Sequence, residues 1–243
     1  IIATTYAGYR RGWHRRWFET RRVAEYLRFG PAITIMGIAR PIGRWPRGEA
    51  DEWPERFSRD ALRDIGLPNA RVDRAYLGAV LEGIVLPHVE GQRRYHEAKS
   101  KQLATVHHRI DRVAEACFVA AILSVSAYLL LELGTVFGLF GPDTPYALAK
   151  TFTFLGVLFP TLGSTLAGIR YFGDFERFSV ISSVTAGRLA EIEQRVGLLL
   201  SGDPARLTYG AASKVVKGVD EIVVAEIESW QSVFGAKHLT LPA

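Results

Sequence analysis

The chain predicts an all-α membrane protein: a two-helix transmembrane hairpin with long cytoplasmic helical stalk extensions, and amphipathic N- and C-terminal helices packed around its base. Three observations carry this. Between Ala116 and Ile169 the only charged residues are Glu132, Asp143 and Lys150. The apolar runs there set spans of about 113–131 and 151–169, each near the ~20 residues needed to cross ~30 Å of hydrocarbon. Leu103, Val106, Ile110, Val113 and Cys117 recur at heptad spacing, and no Gly or Pro lies between Gln92 and Leu133. One helix of roughly 40 residues, ~60 Å long, therefore runs into the first span. Arg109 and Arg112 precede the first span, and Arg170 and Arg177 follow the second. Basic flanks mark the cytoplasmic side, so both termini are expected inside and the short loop 141–149 outside. The competing reading is a buried hairpin in a soluble all-α protein.

The averages conceal this pattern. The 243 residues are 23% charged with a formal charge of +5, and the mean hydropathy is barely above zero. Ile1–Glu115 holds 21 Lys and Arg against 14 Asp and Glu, whereas Arg170–Ala243 holds 8 against 9. Cys117 is the single cysteine, which excludes an intrachain disulfide and a cysteine zinc site. The chain starts Ile-Ile-Ala and Met36 is its one methionine. An upstream segment is therefore expected. The divisions read from the pattern are 1–88, a cytoplasmic helical region; 89–200, the hairpin with its stalk; and 201–243, a C-terminal cytoplasmic helix.

Each element has its own signal. Arg10–Phe29 reads as an arginine-rich amphipathic helix with Trp13, Trp17 and Leu27 at helical spacing, ended by Gly30-Pro31. Ala39–Pro54 reads as a loop. Trp53–Gly66 reads as a short helix with Pro54 in its first turn and Gly66 at its end. From about Asn69 a pattern of Tyr76, Val80 and Ile84 resumes, and Pro87 is expected to kink or break it. After the second span, Phe175, Phe178, Ile181, Val184, Leu189, Ile192, Val196 and Leu199 keep an apolar helical face until Ser201–Arg206 stops it. Ser213–Phe234 is a last amphipathic helix with Val216, Val219, Val223, Ile227, Trp230 and Phe234 on one side.

Candidate functional residues are few. Small residues at spacing four line both spans: Ala116, Ala120 and Ser124 on the first, Gly163/Ala167 and Ser164/Gly168 on the second, as in faces that let helix backbones approach. Pro160 removes one backbone hydrogen bond mid-span and is a candidate hinge. Glu132 and Lys150 stand nine residues either side of Gly141, so a symmetric hairpin sets these opposite charges at one depth near the outer boundary. They form an outer-mouth pair, and a ring of Glu132 side chains in an oligomer would favour cations. Arg10, Arg11, Trp13, Arg15, Arg16 and Trp17 suit an anionic membrane surface. A plain solvated face with salt bridges to Glu19 and Glu25 ranks ahead of lipid contact, and nucleic acid is the least of the three readings. His96, His107 and His108 lack ligand spacing and read as solvated stalk histidines. No nucleophile elbow, phosphate loop or dinucleotide fingerprint occurs. No catalytic or metal residue and no cofactor is therefore assigned.

The stretches Trp17–Arg28, Gln92–Ile110 leading into two spans, and Glu226–Pro242 resemble the SLATT-type bacterial two-transmembrane domains, which are associated with SMODS nucleotidyltransferases or SLOG nucleotide-sensor domains. The resemblance implies a non-enzymatic, homo-oligomeric effector of the bacterial inner membrane in antiphage defence. It would form a pore or disrupt the bilayer when an upstream cytoplasmic, nucleotide-linked sensor fires. Two alternatives remain open: a membrane anchor and oligomerisation scaffold for an upstream sensor or catalytic domain, and a constitutive small ion channel.

Overall fold

The computed structural model describes residues 8, 10–38, 53–139, 141 and 143–235, with the side chains of 14, 15, 144 and 231–235 excepted. The described residues are helical, with no strand among them. The elements are α1 (Trp13–Ile35), α2 (Trp53–Ile65), α3 (Arg74–Val80), a π-helical turn (Leu81–Val85), α4 (Leu86–Val136), α5 (Asp143–Gly173), α6 (Phe175–Ser201), a 3₁₀ turn (Pro204–Arg206) and α7 (Tyr209–Gly235). Two helical stretches, Arg74–Val136 and Pro145–Ser201, are long and apolar enough to cross a membrane. Most of the expected 39–54 loop, and the tail beyond Gly235, lie outside the described residues.

The helix expected to end at Gly30-Pro31 runs on, and at Pro87, where a kink or break is expected, the helix is distorted into a π turn but not broken. α1 continues through Pro31 to Ile35 and ends at Gly37, whose φ of 63° suits a residue without Cβ. There Gly37 N donates to Thr34 O and Ile38 N to Ile33 O, the paired bonds of a Schellman cap. Tyr76 Oη and Tyr209 Oη donate to the exposed-end carbonyls of Ile35 and Met36, at 2.8 and 2.9 Å. Partners from distant sequence thus fix the end of α1. At Pro87 the helix persists because the preceding turn widens to π geometry, with Leu86 N donating to Leu81 O. The wider turn relieves the proline's clash with the turn before it. It also rotates the buried face by one residue: Ile84, expected inside, is exposed, and Val85 is buried.

The helix expected to run on after Arg170 is interrupted. Asp174 takes φ 48° between α5 and α6, and a Cβ on Gly173 would lie 2.4 Å from the Phe175 ring. Any larger residue at 173 would have to displace the Phe175 ring.

The chain divides into two compact units, Ile1–Ala98 with Ile181–Ala243, and Lys99–Val180. The first has a conventional core. Phe29 and Ile33 from α1 with Met36 at its cap, Leu77, Leu81, Val85 and Val89 along the Arg74 stretch, Leu189, Ile192 and Val196 from α6, and Val216 and Val219 from α7 pack together. Arg22, Tyr26, Phe29 and Ile33 form the buried face of α1, while Trp13 and Trp17, expected on its apolar side, are exposed. α2 closes on α1 at Gly30, where an added Cβ would strike Leu62 at 2.6 Å. In the Lys99–Val180 unit Ala121 and Ser124 are buried on α4; of the expected seam, Leu103, Val106, Ile110 and Cys117 are half-buried and Val113 is exposed.

Candidate functional site

Within Lys99–Val180, α4 and the α5–α6 segment meet at pairs that descend one helix as they climb the other. Tyr128 packs on Phe152 with ring centroids 5.7 Å apart. Gly163 lies against Ala114 and Cys117, with its missing Cβ 3.8 Å from both. Arg170 pairs with Asp111. Ser179 Oγ donates to Ser100 O at 2.9 Å. These contacts make the pair antiparallel, and they divide it into a polar end around Ser100–Arg112 and an apolar run beyond. The polar end also holds His107, whose Nε2 lies 3.3 Å from Asp111 and 3.7 Å from Glu176.

The apolar run turns its large side chains outward. Phe118, Leu123, Leu129, Leu130, Phe154 and Val157 are all exposed, and no residue in the most apolar 18-residue window of Pro145–Ser201 is buried. Two helices side by side cannot cover each other's outer faces. What remains is a wide apolar surface of the kind that water-soluble monomers seldom display.

The expected small-residue faces separate into inward and outward sets. Gly163 is the point of close approach to α4, and Ser124 is buried, its hydroxyl without a hydrogen-bond partner. Ala120 is half-buried, while Ala116, Ser164 and Ala167 are exposed and Gly168 meets nothing within 4 Å. α5 runs unbroken through Pro160. Thr161 Oγ1 bonds Val157 O at 2.7 Å, and Ser164 Oγ bonds Pro160 O, so hydroxyls return to carbonyls around the proline. At the far end, the Glu132 carboxylate accepts from Tyr128 Oη at 3.0 Å, one turn back on α4. Among the described residues no ion pair joins Glu132 to Lys150. The Tyr128–Phe152 and Cys117–Gly163 pairs set Glu132 nearest the level of Leu148, about two residues from Lys150.

The first unit holds a constellation of a different kind. Glu226 on α7 is 6% exposed and lies between two nitrogen groups: the Arg21 guanidinium on α1 at 3.3 Å, and the His96 imidazole on α4 at 3.4 Å. Arg21 also lies over the Trp230 ring at 5.0 Å and over Trp17 at 5.6 Å. His96 is 2% exposed, with Nδ1 buried and unbonded. The expectation of solvated histidines fails here because Glu226 of α7, distant in sequence, lies against the buried His96 ring. Nearby, Arg93 bonds Glu193 at 2.6 Å and Glu97 at 2.7 Å. His88 packs on Phe29 with ring centroids 4.9 Å apart. Burial, and then the charge of Arg28, push its pKa below the ordinary value. Nothing in the local sequence marked Glu226 or His96. The only hint was a carboxylate within the apolar helical pattern of α7.

Of the arginine-rich segment, Arg10, Arg11, Trp13, Arg16 and Trp17 are exposed, and the Arg15 side chain lies outside the described set. Among the described residues no group of three or more His, Cys, Asp or Glu could hold a metal ion. Comparison with family models, curated proteins and solved structures returns no match.

Proposed function

We propose that this chain is a non-enzymatic inner-membrane effector: α4 and α5 cross the bilayer as a hairpin, several copies associate, and the assembly permeabilises the membrane in response to a cytoplasmic signal. The carrying observation is the outward apolar surface of the Lys99–Val180 unit, which lipid or further copies must cover. Arg109, Arg112, Arg170 and Arg177 cluster at one end, whereas the other end carries Glu132, Asp143 and Lys150. That asymmetry favours cytoplasmic termini and an outer 141–149 loop. Ser164 and Ala167, small and outward, offer a close-approach face for other copies. Since two helices enclose no pore, conduction requires the oligomer. In that assembly Glu132 stands at the outer mouth and Pro160 at the hinge position. The likeness to SLATT-type domains supplies the trigger class, a nucleotide-linked sensor, and the defence setting.

Purified oligomer in liposomes tests this reading. Ion flux or dye release is the expected result, with Glu132→Gln lowering cation preference. A monomer that leaks nothing rejects the effector, and unchanged selectivity in a working channel rejects the Glu132 ring.

One observation favours a second reading. The first unit is compact, with its own core and a buried charge cluster, as suits a scaffold that presents an attached sensor. Exchanging both spans for unrelated transmembrane helices separates the two: activity that survives exchange belongs to an anchor, and activity that is lost belongs to the effector.

A further inference from the structure

Between α4 and α5 lies an open groove of about 640 Å³. Its lining is graded along the helix. Arg109 and Arg112 stand at one end, and Val113, Ala116, Cys117, Ala120 and Phe159 make the rest. From 109 to 120 the groove runs ~16 Å along the axis at 1.5 Å per residue. Among the described residues neither guanidinium is neutralised by a carboxylate. Arg170 is neutralised by Asp111, which also faces His107. Arg112 donates only to its own helix, to His108 O at 3.4 Å, and among the described residues neither Arg109 nor Arg112 enters an ion pair. Small side chains at 116 and 120 open the groove, and Phe159 from the facing helix contributes an apolar wall.

We propose that this groove is a binding site for one anionic phospholipid, with its phosphate between Arg109 and Arg112 and an acyl chain along Ala116, Ala120 and Phe159. The order of the lining matches the order of a lipid: charge at the membrane boundary, hydrocarbon inward. Paired arginines suit a phosphate's fixed oxygens. A second copy fits less well. Membrane insertion gives every copy the same orientation, so a two-fold contact through this groove brings four unneutralised guanidiniums to one depth. The site rests on the two-span reading above, and it adds a specific ligand at the cytoplasmic boundary of α4.

The test uses the full chain reconstituted in mixed phosphatidylcholine and phosphatidylglycerol vesicles. Alkaline extraction comes first, followed by native mass spectrometry of protein released in mild detergent. The wild type should keep phosphatidylglycerol in preference to phosphatidylcholine. Arg109→Gln with Arg112→Gln should lose that preference, by about fivefold per arginine. Ala120→Phe, which fills the groove and leaves both charges, should lose it too. Arg177→Gln, an exposed cation outside the groove, should keep it. Equal retention by the double arginine variant and the wild type overturns the site. So does full retention by Ala120→Phe, which would mean a diffuse headgroup layer. Absence of lipid preference together with a lower oligomer mass in Ala120→Phe assigns the groove to a second copy. A chain released by alkali overturns the two-span reading and this site with it, whereas a chain that stays integral without lipid preference overturns this site alone.

Discussion

The two units of this chain handle apolar and charged groups in opposite ways. In Ile1–Ala98 with Ile181–Ala243, Phe29, Leu81, Leu189, Val196 and Val216 are hidden, and even Glu226 and His96 are drawn inside. In Lys99–Val180, Phe118, Leu123, Phe154 and Val157 face outward while Ala121 and Ser124 face in. The first pattern minimises apolar surface against water. The second reserves small residues for helix contact and leaves the bulk to the surroundings, as is economical where those surroundings are themselves hydrocarbon. Within a single chain, and on the one helix α4, the same residue types are sorted by two different rules.

The largest expected effect breaks the first rule at its most exposed cost. Glu226→Ala removes the carboxylate that lies between Arg21 and His96, leaving the buried His96 and the half-buried Arg21 without it. Breaking a buried pair from one side costs about 3–5 kcal/mol. Chemical denaturation of the Ile1–Ala98 and Ile181–Ala243 unit should show a loss of that order, with alkaline extraction of the chain from membranes unchanged. A loss under about 1 kcal/mol would mean the cluster behaves as a surface pair.

The comparison is sharpest at two valines of similar exposure. Val157 on α5 is 63% exposed and Val184 on α6 is 51% exposed. If water surrounded both, lysine at either would matter little, within about 0.5 kcal/mol. If lipid surrounds Val157, a lysine there opposes insertion by about 2.5–3.5 kcal/mol. Val157→Lys should deplete the chain from the membrane fraction, while Val184→Lys should accumulate normally and keep its denaturation midpoint. Equal behaviour of the two variants would place both valines in one environment and remove the distinction between the units.

What the sequence made legible follows the same division. The helical class and the two long apolar helices depend on composition and local period, which a linear reading sees. So does the buried face Val216, Val219, Val223, Ile227 and Trp230 of α7. The differences lie where a distant partner, or a local change of helix geometry, overrides the simple reading. Pro31 does not end α1, because Tyr76 and Tyr209 satisfy carbonyls beyond it. Pro87 does not end its helix, because a π turn absorbs the clash and turns Val85 inward in place of Ile84. His96 is not solvated, because α7 brings Glu226 to it from 130 positions along the chain. The Arg109–Arg112 groove was equally invisible: its arginines read as flanking charge, and Phe159, its far wall, belongs to another helix.

The smallest expected effect concerns pH, and it should appear in one unit only. His88 titrates below its ordinary value of 6.5 because burial, and then Arg28, disfavour the imidazolium. The unfolded chain therefore binds this proton more readily than the folded one. The contribution of neutral His88 is complete above about pH 6.5 and is lost as pH falls through the lower folded value. Acidification from pH 7 toward 5 should lower the unfolding free energy of the Ile1–Ala98 and Ile181–Ala243 unit, with a slope of at most about 1.4 kcal/mol per pH unit from this one group. His88→Leu should remove that part of the slope. A variant with the wild-type slope would assign the pH dependence to other groups of the same unit. His107, in the Lys99–Val180 unit, is the control: His107→Gln should leave the slope where it was, since the ring that must shed its proton to stay buried against Phe29 is that of His88.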